Sequence, residues 1–106
     1  MTDNTTLVVR DGRWPDDAPL LEHLRTEVFV SEQGVPKDLE WDGRDADAVH
    51  VIAERDGEAV GCGRLLPDGR IGRLAVLRPL RGQGIGARLL SRLLEIARER
   101  GEQSLY

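Results

Sequence analysis

The sequence has little of what builds disulfides, metal centres or membrane spans. Cys62 is the only cysteine among 106 residues, so no internal disulfide forms, and its expected role is a small buried strand residue. His23 and His50 are the only histidines, which argues against a histidine metal site. No apolar run is long enough to cross a membrane, and the first six residues lack the features of a signal peptide. A cytoplasmic location is the default expectation.

Charge and length set further limits. The chain carries 15 basic and 19 acidic residues, a net charge of −4, so a nucleic-acid footprint is not expected. A chain of 106 residues fits one domain over 1–106. A domain of this size buries roughly two thirds of its unfolded surface.

The most informative stretch runs from residue 71 to residue 100. Ile71 to Leu77 is apolar and partly β-branched, which predicts a buried strand. Residues 78–86 contain a proline, two arginines and three glycines, which predicts a tight loop. From Ile85 to Arg100 most apolar residues fall on one stripe at the helical period, and Gly101 supplies a stop signal.

A strand, a glycine-rich turn and a helix in this order are suited to holding an anion. The first helical N–H groups have no intrahelical acceptor, and the helix dipole adds positive charge at that end. Gly82, Gly84 and Gly86 would let a phosphate approach the backbone, and Arg81 and Arg88 add full charges. A phosphate or pyrophosphate is the expected ligand. The alternative is a glycine turn with nothing bound.

The type of phosphate ligand depends on the motif. No Gly-Lys-Ser/Thr is present, which excludes the P-loop. Gly82-x-Gly84-x-x-Ala87 fits the dinucleotide fingerprint in its Gly/Ala form. Two facts count against that fingerprint. Residues 78–81 separate the strand from the first glycine, and no second parallel strand follows to present a ribose-binding acid.

The run Arg81-Gly-Gln-Gly-Ile-Gly86, preceded by Arg73-Leu-Ala-Val76, resembles the acyl-CoA-binding motif of the GNAT N-acetyltransferase superfamily. The resemblance implies that backbone amides of the turn hold the pyrophosphate of acetyl-CoA. It also implies that the strand before the turn pairs with the pantetheine arm. The implied cofactor-binding residues are Leu74, Ala75, Val76, Arg81, Gly82, Gln83, Gly84, Ile85, Gly86 and Ala87.

A second stretch resembles the same family. Residues 25–36 (Arg-Thr-Glu-Val-Phe-Val-Ser-Glu-Gln-Gly-Val-Pro), followed by an acidic loop and His50, are similar to small bacterial GNAT proteins of the ElaA-like or YjcF-like type. The resemblance implies an acyltransferase that moves the acetyl group of acetyl-CoA to a primary amine of a small molecule or peptide. The amine attacks the thioester directly, and no metal is needed.

The general base has several candidates. Glu32 is the first, because the Glu-Gln of this subgroup lies where the acceptor should approach; capping or a surface salt bridge is its alternative role. Glu40, Asp42 and His50 are weaker candidates, and His50 has the alternative of a hydrogen bond within the sheet. Trp41 either lines the acceptor pocket or packs on nearby helices.

The acidic loop, residues 38–47, begins like a calcium-binding loop. Its twelfth position would be Val49 where a glutamate is required, which argues against calcium. A solvated loop is the default, and attraction of a cationic amine is the functional alternative. Arg73 lies next to the pantetheine strand; its alternative role is a solvent-facing residue that balances this loop.

The remaining patterns predict an α/β fold of the α+β type, a mainly antiparallel sheet flanked by helices. We expect a strand at Leu7 to Arg10 and a helix from Asp16 or Asp17 to Gly34. Three strands at 49–54, 58–66 and 70–77 follow, joined by two Asp-Gly turns, and glycines 61 and 63 indicate a bulge or a close backbone approach. This is the order of the GNAT core through its central helix.

The end of the sequence leaves the function open. Residues 103–106 look like the start of a fifth strand, so the resemblance covers only part of the family's domain. We therefore expect a C-terminally incomplete domain whose fourth strand has an open edge, which a second copy or a swapped partner would complete. Three classes remain: an N-acetyltransferase, a non-catalytic acyl-CoA-binding or interaction module, and a dinucleotide-binding fragment.

Overall fold

The computed structural model describes residues 7–34 and 43–101. Four strands form one antiparallel sheet in the order of the sequence, as the predicted meander requires. The strands are β1 (Leu7–Gly12), β2 (Val49–Arg55), β3 (Glu58–Leu65) and β4 (Ile71–Val76). At the first Asp-Gly turn, Asp56 and Gly57 both have positive φ, +53° and +84°, as a tight two-residue hairpin demands. β1 is longer than predicted because Asp11 and Gly12 also pair with β2.

The N-terminal helical region consists of two kinds of helix. Helix α1 spans Ala18–Arg25 and continues as a π-helical segment, Thr26–Glu32, where a single helix was expected. The amide of Gln33 still donates to the Val28 carbonyl oxygen at 3.1 Å, which closes the wider turn. The second long helix, α2, spans Ile85–Glu99, close to its predicted bounds. Neither α-helix in the described ranges is long and apolar enough to span a bilayer.

Asp17 occupies the expected N-cap position of α1, but its carboxylate does not cap the helix. It receives two hydrogen bonds from the Arg10 guanidinium, at 3.0 and 2.9 Å, and one from the Arg13 amide at 2.8 Å. The Arg10 bond is the main reason that the pKa of Asp17 lies below its usual value. The side chain therefore joins β1 to the start of α1.

The two helices cover opposite faces of the sheet, and the alternation of β2 supplies both layers. Val51 and Ala53 face α2, whose residues Leu89 and Leu93 are completely buried. Ile52 faces α1 and packs in a second apolar cluster with Leu21, Leu24 and Cys62. Cys62 is buried, as its place in a predicted strand suggested. The sheet is thus covered on both faces, and its edges are β1 and β4 among the described strands.

β4 contains a bulge that shapes the sheet edge. Cys62 pairs with Ala75 and Arg64 with Gly72, so two residues of β4 face the single residue Gly63. Arg73 is one of the two, and its φ of +51° places it in the left-handed region. The other, Leu74, is 37% exposed.

The predicted role of the β3 glycines is confirmed by this packing. A Cβ at Gly61 would lie 2.9 Å from the carbonyl oxygen of Ala75, and one at Gly63 would lie 2.7 Å from Leu74 Cδ2. Because a backbone oxygen cannot give way as a side chain can, Gly61 allows the close approach of β4.

Candidate functional site

The turn between β4 and α2 presents backbone donors toward one end of the helix. β4 ends at Val76, a 3₁₀ turn follows at Arg78–Leu80, and α2 begins at Ile85. The first amide to find an intrahelical partner is that of Arg88, which donates to Gly84 O at 3.1 Å. The helical amides before it lie in the first turn, where the helix leaves donors without an intrahelical acceptor.

Glycine is needed in this turn for backbone conformation. Gly82 and Gly84 have φ of +83° and +81°. A Cβ built at either position would meet no atom within 4 Å, so the space outside the turn is open. A ligand can therefore reach this backbone closely. We call residues 81–86 the glycine turn.

Arg81 and Arg88, the basic side chains nearest the glycine turn, both hydrogen-bond to backbone oxygens. Arg81 donates from Nε to Val76 O at 2.9 Å, which fastens the turn to the end of β4, and its amide donates to Arg78 O at 3.3 Å. Arg88 was expected to add charge beside the glycines, but its guanidinium bonds to Leu7 O of β1 at 3.4 Å. Gln83 is held through its side-chain oxygen by Arg55, at 3.2 Å.

The glycine turn, β4 and the helical segment enclose a cleft of about 320 Å³. Val28 and Gln33 form its helical wall, opposite the strand. Most of the residues that the sequence indicated for cofactor binding line this cleft, namely Leu74, Ala75, Val76, Arg81, Gly82, Gly84, Ile85 and Gly86. Gln83 and Ala87 do not line it. The cleft thus joins an amide-rich turn to β4, which is an edge strand among the strands that the structure describes.

The structure describes the side chains of only some of the candidate bases. Glu32 is the last residue of the π-helical segment, and its side chain lies outside what the structure describes. Glu40, Trp41 and Asp42 lie outside the described residues as well. Arg73 is half-buried and its Nε is buried, so its side chain is only partly exposed to solvent.

A buried ionic cluster on the α1 face was missed by the sequence reasoning. Asp45 Oδ1 accepts hydrogen bonds from Arg25 at 2.8 Å and from Arg64 at 2.9 Å. The three residues are 5%, 1% and 3% exposed. They come from three elements, the turn before β2, α1 and β3, so sequence proximity gave no sign of them. We call Arg25, Asp45 and Arg64 the buried cluster.

His50 adjoins the buried cluster and does not face the main cleft. Its Nε2 is 2.8 Å from the carbonyl oxygen of Asp45, and its ring stacks on Trp14 with centroids 5.6 Å apart. The expected hydrogen bond therefore goes to the 3₁₀ turn before β2, Asp45–Asp47. Burial is the main reason that the pKa of the imidazole lies below its usual value, and the two arginines add to this. The ring thus contacts the buried cluster through the backbone of Asp45.

No group of three or more histidine, cysteine or acidic side chains in 7–34 and 43–101 is arranged to hold a metal ion. The cleft itself presents the backbone of the glycine turn, the edge of β4 and a wall that contains Val28 and Gln33.

A bulged edge strand, a glycine turn and a helix on a mainly antiparallel sheet define the acyl-CoA N-acyltransferase fold, and solved structures share it. Escherichia coli ElaA superposes with a TM-score of 0.79 at 29% identity, covering 92% of this chain and 73% of ElaA. An acyl-CoA N-acyltransferase from Pseudomonas aeruginosa superposes with a TM-score of 0.79 at 34% identity, covering 92% of this chain and 75% of that protein.

The sequence comparisons give the family. Residues 16–106 match the model of the acetyltransferase (GNAT) family, and the chain belongs to that family. It is 33% identical over 82 residues to the uncharacterized N-acetyltransferase YjcF of Bacillus subtilis, with 74% of this chain and 59% of YjcF covered. It is 35% identical over 82 residues to E. coli ElaA, with 71% and 54% covered. The chain thus spans little more than half the length of these curated relatives.

Proposed function

We propose that this chain provides the acyl-CoA-binding part of an N-acetyltransferase that uses acetyl-CoA as the acyl donor and a primary amine as the acceptor. The observation that carries the proposal is the cleft, in which β4, an edge strand among those that the structure describes, leads through the Arg78–Leu80 turn to the glycine turn. Membership of the GNAT family and the likeness to an acyl-CoA N-acyltransferase support the same donor.

The donor would bind through two kinds of backbone contact. The pyrophosphate would accept hydrogen bonds from the amides at the start of α2, where the helix dipole favours an anion. The pantetheine arm would lie along Leu74 to Val76 and pair with the outer edge of β4, as an added strand does. Arg81 would fix the angle between these two sites through its bond to Val76 O.

The transfer step would follow from this placement. The lone pair of a neutral amine attacks the thioester carbonyl carbon, the C–N bond forms, and the C–S bond breaks to release CoA as a thiolate, which takes a proton from water. A backbone N–H of β4 would stabilise the developing oxyanion. Glu32, which directly precedes Gln33 of the cleft wall along the chain, is the proposed base that takes the proton from the amine. The acceptor is a small molecule or a peptide.

The donor site can be tested by titration calorimetry and a thiol-release assay. We expect micromolar binding of acetyl-CoA, and transfer to spermidine, tyramine or a lysine-containing peptide. Binding without transfer to any amine would instead support a non-catalytic acyl-CoA-binding module. Preference for a nicotinamide dinucleotide over CoA would overturn the proposed donor site.

A further inference from the structure

The buried cluster joins three elements through one oxygen atom. Asp45 Oδ1 receives both guanidinium groups, at 2.8 and 2.9 Å, in a part of the interior that is almost closed to water. Charged groups in such a place depend strongly on their partners, because an uncompensated buried charge is costly. Loss of the Asp45 charge is therefore expected to affect both arginines at once.

The positions of these residues link the cluster to the main cleft. Arg25 is the last residue of α1, directly before the segment that supplies Val28 and Gln33 to the cleft wall. Arg64 lies on β3 and pairs with Gly72, the residue before the bulge of β4. The Asp45 carboxylate thus connects the helical wall of the cleft to the strand beside its opposite wall.

The backbone around Asp45 is also held. The amide of Ala48 donates to Asp45 O at 3.2 Å, and His50 Nε2 approaches the same oxygen at 2.8 Å. The Trp14 ring stacks on the His50 ring. The carboxylate is therefore presented to the two arginines from a fixed backbone.

We propose that Asp45 is a positioning residue of the acyltransfer site. Through Arg25 and Arg64 it sets the distance between the helical wall, residues 26–34, and the bulge of β4, and thereby the approach of the acceptor to the thioester. This inference rests on the proposed function. The glycine turn is made of backbone at the start of α2 and does not depend on Asp45.

The test compares Asp45→Asn, which removes the charge at nearly constant size, with Asp68→Asn. Asp68 also pairs with an arginine, Arg44 at 3.4 Å, but both of those side chains are more than 40% exposed. The acceptor is whichever of spermidine, tyramine and the lysine peptide gives the highest turnover. Its KM should rise about tenfold or more in Asp45→Asn. The KM and Kd for acetyl-CoA should rise by a clearly smaller factor, because the pyrophosphate binds at the helix N-terminus and only the pantetheine arm lies along β4. Asp68→Asn should leave the KM for the amine and the KM and Kd for acetyl-CoA unchanged.

A second measurement, amide hydrogen exchange, does not require an acceptor amine. Hydrogen exchange at the Gln33 amide of the helical wall should be about tenfold faster in Asp45→Asn, since local opening becomes easier. Exchange at the Arg88 amide of α2 should not change. If Asp45→Asn does not fold, Arg25→Lys keeps the charge but loses the planar fork, and it should shift the same constants in the same direction by less.

The outcomes separate the inference from the proposed function. Equal changes in the constants for amine and acetyl-CoA, or unchanged Gln33 exchange in folded Asp45→Asn, would overturn the positioning role. If the wild-type chain transfers acetyl to no amine, the proposed function fails in its acceptor half, and the exchange experiment still decides whether Asp45 holds the wall.

Discussion

The glycine turn and the buried cluster handle charge in opposite ways. The turn is open, is made of backbone amides, and leaves its donors available to a ligand. The cluster is closed, is made of side chains, and directs its charges at one another. The difference separates two tasks, because the first region is suited to an exchangeable anion and the second to a fixed geometry. The two should therefore respond differently to mutation and to pH.

The largest expected effect is on stability at the buried cluster. Asp45→Ala leaves two buried guanidinium groups without their shared carboxylate, which should lower the free energy of unfolding by about 3–5 kcal/mol. Asp68→Ala removes an exposed pair and should cost about 1 kcal/mol or less. Urea denaturation of both variants measures the difference. Similar losses in the two would show that the cluster is no more than a surface-like ion pair.

A substitution under β4 should affect both folding and binding. Gly61→Ala would place a methyl group 2.9 Å from the Ala75 carbonyl oxygen, so β4 must shift, at about 1–3 kcal/mol of stability. The affinity for acetyl-CoA should fall with it, because Ala75 lines the cleft. Calorimetry on the folded variant checks this. Gly57→Ala is the matched control for an added methyl group, since its Cβ meets nothing, although its φ of +84° adds backbone strain. Full affinity for acetyl-CoA in Gly61→Ala would show that donor binding does not depend on the position of β4.

Between pH 5 and pH 7 the pH dependence of stability should come from His50, beside the buried cluster. The folded-state pKa of His50 lies below its usual value of 6.5, mainly because the ring is buried. The stability that the neutral ring confers is present above about pH 6.5 and is lost as the pH falls toward the lowered pKa, with a slope of at most about 1.4 kcal/mol per pH unit. His50→Gln should flatten this slope in urea titrations between pH 5 and pH 7. An unchanged slope would show that other groups carry the dependence.

The smallest expected effect on stability is at the exposed ion pair between Arg92 of α2 and Asp11 of β1. Arg92 binds both carboxylate oxygens of Asp11 at 2.9 Å, and this bond is the main reason that the pKa of Asp11 is lowered. Asp11→Asn should cost about 1 kcal/mol or less, and the cost should shrink at high salt. Thermal unfolding at two salt concentrations tests this. A larger, salt-independent loss would mean that the surface pair matters as much as the buried one.

The difference between the glycine turn and the buried cluster also explains which features could be predicted from the sequence. The glycine turn is local: its glycines, its strand and its helix are consecutive, so composition and period were sufficient to find it. The three-strand meander and the bulge were predicted for the same reason, since Asp-Gly turns and paired glycines mark them in the sequence.

The buried cluster depends on distant residues. Arg25 and Arg64 reach Asp45 across sequence separations of 20 and 19 residues, and only the packing of α1 on the sheet brings them together. Asp45 had been counted with a solvated acidic loop because an isolated aspartate is usually exposed. The direction of the Arg88 side chain has the same origin, because its guanidinium bonds to Leu7 O on a strand far away in the sequence.

The most direct test of the account is calorimetric titration of acetyl-CoA into the wild-type chain and into Gly84→Asp. The aspartate adds a side chain and a negative charge where the pyrophosphate would lie. Gly101→Asp is the matched control, since Gly101 has a similar φ of +75° and equally open surroundings at the opposite end of α2. We predict micromolar binding by the wild type and Gly101→Asp, and loss of at least about a hundredfold in Gly84→Asp, close to 3 kcal/mol. Unchanged affinity in a folded Gly84→Asp variant would contradict the proposed donor site.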